Sequence, residues 1–132
     1  MGAENLYYSL TQVVHNLNGA LLLGVPLCWF WFTPQSLQPK RQLQLMLLLW
    51  LLQAASGVLF GVISYIFYSA LPDLHPIAFR ALVVKLFCVI AALVLCVWLL
   101  LQGRKERRNT WLWLAILGAT AQSAAAVLRW NA

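Results

Sequence analysis

Long apolar runs, separated by short polar or charged interruptions, govern this chain. They cover roughly residues 8–32, 42–69, 77–102 and 110–130, and each reaches the about 20 residues that a helix rising 1.5 Å per residue needs to cross a bilayer. The breaks carry helix-ending chemistry. Pro34 and Pro39 fall in the first connection and Pro72 and Pro76 bracket the second, with Pro76 suited to the first turn of the third helix. Gly103 stands where the third helix should stop, and Asn109 or Thr110 can cap the fourth. Pro26 alone lies inside a span, where it should kink the first helix and free the carbonyl near position 22. The pattern predicts an all-α integral membrane protein, a single domain over 1–132 folded as a four-helix transmembrane bundle.

Composition agrees and charge adds an orientation. The 132 residues are 63% hydrophobic and 9% charged, too little polar surface to coat a soluble core of this size. Lys40 and Arg41 occupy the first connection, while Arg104, Lys105, Arg107 and Arg108 crowd the third against Glu106. Basic loops mark the cytoplasmic side, so both termini and the 71–76 loop are expected on the outer, periplasmic side of a bacterial inner membrane. Trp29, Trp31, Trp98, Trp111 and Trp113 then sit at the inner interface and Tyr7, Tyr8, Tyr65, Tyr68 and Trp130 at the outer one, as two aromatic belts. The net charge of +6 is absorbed by this topology, with anionic lipid as its natural contact and nucleic acid excluded as a partner. Residues 1–10 carry no base ahead of the first span and no small-residue cleavage site follows it, so that span should stay in the mature chain.

Helix packing has its own marks. Gly57 and Gly61 form a small-xxx-small step, and Ala115, Gly118, Ala119, Gln122 and Ala126 recur at helical spacing on the fourth span. Cys28, Cys88 and Cys96, all within spans and without CxxC spacing, read as small apolar residues. Trp50, Phe60 and Phe67, if they face outward, suit lipid or a partner equally.

Polar groups inside spans are costly and call for a reason. His15 lies roughly 10 Å and Lys85 roughly 13 Å below the outer surface by helical rise. Asn16, Asn18, Gln53, Ser56, Thr120, Gln122 and Ser123 fall in the same outer half or near the midplane, whereas the inner half is apolar and aromatic. His15 and Lys85 are therefore expected to face the bundle interior at similar depth. Lys85 can hold an anion or relay protons there. Glu4, Asp73 and Glu106 all lie outside the spans, and no nucleophile–base pair or phosphate loop is present. No catalytic residue is assigned, and catalysis by the chain alone is not expected.

The segment Val14-His15-Asn16, the run Ala54-Ala55-Ser56-Gly57, and Arg80-Ala81-Leu82-Val83-Val84-Lys85-Leu86 ahead of a basic loop resemble the four-helix unit of the copper-resistance protein D family. That family's relatives include the HemJ-type protoporphyrinogen oxidases. The resemblance implies a first-helix histidine, here His15, and a third-helix lysine, here Lys85, at a cofactor or metal site. Haem b would take its axial donor from His15, with His75 in the outer loop as the other imidazole and Arg80 and Arg129 available to its propionates. Copper on His15 and His75 is the lesser candidate, because the further histidines of a copper transporter are missing. Against both stands a simpler role, in which His15 hydrogen-bonds across the bundle and His75 is a solvated loop residue. The functional expectation is an accessory subunit of a larger, redox- or metal-related membrane complex, or a homo-oligomer. Its alternative is a stand-alone haem protein in electron transfer or porphyrin oxidation.

Overall fold

The computed structural model describes residues 2–32, 39–69, 74–103 and 108–131. Four helices fill them: α1 (Ala3–Phe32), α2 (Pro39–Tyr68), α3 (Pro76–Gln102) and α4 (Arg108–Trp130). All four are long and apolar enough to cross a membrane, and there is no strand among the described residues. Pro34, Pro72, Asp73, Arg104, Lys105, Glu106 and Arg107 lie outside the described residues.

The helix ends follow from local chemistry. Pro76 opens α3 in its first turn, where a missing N–H costs nothing, and the Nδ1 of His75 accepts the backbone N–H of Ile77 at 3.4 Å. Gly103 ends α3 in the left-handed conformation, φ 59°. Asn109 and Thr110, expected as caps, are instead already inside the first turn of α4. Arg108, the first described residue of α4, donates its Nε–H to the Phe30 carbonyl at 3.1 Å and lays its guanidinium 4.5 Å from the Phe30 ring centre.

The helices run in a ring: α1 touches α2 and α4, α3 touches α2 and α4, and no described backbone of either diagonal pair approaches within 8 Å. Neighbours are antiparallel. The Tyr68 hydroxyl, ending α2, donates to Glu4 at the start of α1, while Trp29 near the end of α1 packs edge-on against Trp111 at the start of α4, 4.8 Å between rings. Both described chain ends therefore lie at one end of the bundle.

The α1–α4 seam shows why small residues recur on the fourth helix. A Cβ on Gly118 would stand 2.8 Å from the Leu22 carbonyl oxygen, and one on Gly19 would run into the amide of Gln122. Leu22 is four residues before Pro26, so its carbonyl lacks the usual helical N–H donor. The Gly118 backbone closes over that freed oxygen at a distance that no side chain would permit. Gly57 faces His15, 3.7 Å from its Cε1 to the Cβ position, whereas Gly61 meets nothing within 4 Å. The small-xxx-small step on α2 is thus used at one of its two positions.

The interior divides lengthwise. Leu43, Met46, Leu49, Trp50, Cys96, Leu99, Trp111 and Leu114 are buried in one apolar portion. Trp50 is 0% exposed, so the condition under which it would meet lipid or a partner does not hold for it. It shares a helical face with Leu43, Met46 and Gln53, and that face turns inward. Phe60 is half-buried and Phe67 exposed. Cys88 and Cys96 are buried thiols as expected, but Cys28 is exposed on α1.

Candidate functional site: a buried His–Lys–amide cluster

The polar portion of the core is assembled from residues three apart on single helices. His15 and Asn18 share a face of α1, and Gln53 and Ser56 share a face of α2. All four are buried, and Lys85 reaches them from α3, with its Nζ 2.9 Å from His15 Nε2. Because α1 and α3 are diagonal, only a long side chain can make this contact, and lysine's four-carbon stem spans the centre of the ring.

Hydrogen positions follow from the two backbone carbonyls that anchor the cluster. Asn18 Nδ2 donates to the Leu49 carbonyl at 2.9 Å, so the atom it meets on Gln53 at 2.7 Å is the oxygen. Gln53 Nε2 is then left to donate to His15 Nε2 at 2.9 Å. From the other side, the Ser56 hydroxyl donates to the Leu52 carbonyl at 2.8 Å, so its oxygen accepts from His15 Nδ1–H at 2.7 Å. Both ends demand the same state, a neutral imidazole protonated on Nδ1 with its Nε2 lone pair facing outward. That lone pair receives two donors, Gln53 and Lys85.

Two features remain unbalanced. Lys85 has only the neutral His15 imidazole as its acceptor. The only acid among the described residues, Glu4, is taken by Tyr68. Asn18 Oδ1 and Trp50 Nε1 are buried without a hydrogen-bond partner among the described residues, an uncommon cost in a native interior. Phe60 closes one side, its ring edge-on to His15 at 5.4 Å and itself packed on Tyr8 at 5.2 Å.

Of the residues singled out in the sequence, His15, Lys85, Asn18, Gln53 and Ser56 come together. The others do not join them. His75 is exposed and caps its own helix, about 15 Å along the axis from Lys85 by helical rise. Arg80 and Arg129 are exposed, with Arg80 lining an open groove between α3 and α4. Thr120 and Ser123 line that groove too, Asn16 is exposed, and Gln122 lies against Gly19. Phe60 beside His15, and Thr11, whose hydroxyl donates to the Tyr7 carbonyl at 2.8 Å one turn before it, were not anticipated. The i, i+4 spacing of Thr11 and His15 was the available signal for Thr11.

The donor set does not fit haem or copper as arranged. Both ring nitrogens of His15 are engaged, His75 stands apart, and no group of three or more His, Cys, Asp or Glu side chains gathers among the described residues. No family model, curated protein or solved structure matches this chain.

Proposed function

We propose that this chain is a small accessory subunit of a larger membrane complex, redox- or metal-related as its likeness to the copper-resistance protein D family implies. It would sit as a multi-pass protein in a bacterial inner membrane, with both termini outward. The observation that carries this reading is the closure of the polar cluster. His15 spends both ring nitrogens on Ser56, Gln53 and Lys85, so as arranged it offers no unengaged nitrogen to a metal or haem iron. The cluster then serves to fix which helices meet, a role best attested for polar residues in bundle cores. What can act on other molecules is the exterior, which presents Trp31, Phe32, Trp98, Leu101, Trp113 and Trp130 outward.

Extraction of native membranes in mild detergent, followed by size analysis under native conditions, tests the proposal. The chain should travel in an assembly well above its own 14.9 kDa, whether with other subunits or with copies of itself. A lone monomer with an activity of its own would overturn it. The alternative, a haem b protein of electron transfer or porphyrin oxidation, draws on the central place of His15 beside Lys85 and requires both donors to leave Nε2. A reduced-minus-oxidised absorption spectrum with a Soret band and split α/β peaks, absent in His15→Ala, decides for it.

A further inference from the structure

An open groove of about 380 Å³ runs between α3 and α4, away from the His15 cluster. The buried Ala81 and Ala124 form its floor, and Ile77, Val84 and Val127 form its apolar walls. Arg80 is the one charged side chain on its lining among the described residues. The groove exists because two alanines face each other where larger residues would have closed the seam.

We propose that this groove holds one acyl chain of an anionic phospholipid, with the lipid phosphate on the Arg80 guanidinium. Three observations converge on that occupant. The lining is apolar on a helix face that meets hydrocarbon if the four helices span a bilayer. From Ile77 to Val84 the groove extends roughly 10 Å along α3, about a third of the hydrocarbon thickness, which matches the upper part of a single acyl chain. Arg80 is exposed and has no carboxylate partner among the described residues. It stands only about 6 Å from the start of α3, within reach of the headgroup level for a side chain that buries its stem and lifts its charge. A guanidinium fork matches two phosphate oxygens, and the positive end of the α3 dipole adds to the attraction. Arg129, also exposed at this end, is not on the groove and serves as the comparison cation.

The test uses the full chain in neutral detergent, titrated with phosphatidylglycerol or phosphatidylcholine and followed by native mass spectrometry. Phosphatidylglycerol should be retained roughly tenfold more tightly than phosphatidylcholine, because the choline cation offsets the phosphate charge and repels the guanidinium, whereas the phosphatidylglycerol phosphate is uncompensated. Arg80→Gln should erase that preference, Arg80→Lys should keep part of it, and Arg129→Gln should leave it intact. Val84→Trp, which covers the groove from the membrane side without touching the core, should weaken retention of both lipids. The proposal is overturned if the wild-type chain does not distinguish the two lipids, if Arg80→Gln keeps the preference, or if Arg129→Gln removes it equally.

Discussion

Replacing Gly118 by alanine tests the packing that brings α1 to α4. The added methyl would lie 2.8 Å from the Leu22 oxygen and 3.3 Å from its carbonyl carbon, both backbone atoms that cannot rotate aside. Relief requires α4 to retreat by roughly half an ångström, and a gap of that size forfeits about a quarter of the dispersion energy along the seam. Overpacking of this kind costs about 1–3 kcal/mol, and alanine's better helix propensity returns up to about 1 kcal/mol. A net loss of about 1–2 kcal/mol is expected. Gly19→Ala should cost less, because it meets only the amide end of Gln122, which can swing away. Gly24→Ala and Gly61→Ala, with nothing within 4 Å, should be neutral or slightly stabilising. Titration of the detergent-solubilised protein with dodecyl sulfate, followed by circular dichroism, gives the four values in one series. If Gly118→Ala were as stable as Gly61→Ala, the close approach at Leu22 would be wrong.

The cluster makes an ordering of its own: Lys85→Met keeps the stem and removes an uncompensated cation, so it should be near neutral. His15→Ala strands Lys85, Gln53 and Ser56 and should cost about 1–3 kcal/mol or more in the same titration; the reverse order would refute the assignment. Single cysteines at 104–108, in a background lacking Cys28, Cys88 and Cys96, should react with impermeant reagents only from the cytoplasmic face, and labelling from outside would invert the proposed topology. Arg108→Gln keeps a donor for the Phe30 carbonyl but loses the guanidinium over the ring, and should cost about 0.5–1 kcal/mol, read as a small drop in the unfolding midpoint.

The helices were legible because each span is a long apolar run, the first three closed by a proline or a glycine, and both signals act locally. Pro76 and Gly103 stand where a sequence reader would put them. The contact between Arg108 and Phe30 was not legible, since it joins residues 78 positions apart and no local pattern announces it. The depth of His15 and Lys85 could be counted along single helices, but their partners could not. Asn18 at i+3 from His15 shares its face by helical geometry alone, whereas Asn16 beside it points elsewhere. On α2 the inward side is marked by Gln53 and Ser56, and Trp50, three positions before Gln53, turns inward with them.

The way the cluster is anchored explains why the ring of helices closes in one order. Leu49 and Leu52 are both on α2, so the carbonyls that fix Asn18, Gln53, Ser56 and finally the His15 tautomer come from one helix and orient the groups of its neighbour. A rotation of α1 by one residue, about 100°, would turn His15 and Asn18 away together and leave four polar groups unpaired in hydrocarbon. Apolar packing alone penalises such a rotation weakly, because leucines on any face meet lipid or protein equally well. Lys85 extends the same constraint to α3, where backbone contact with α1 is lacking. The fourth helix is held differently, by Gly118 against the carbonyl that Pro26 frees. Hydrogen bonds thus set the register of three helices and a steric fit sets the fourth, so Gly118→Ala should loosen α4 while the His15 network stays intact.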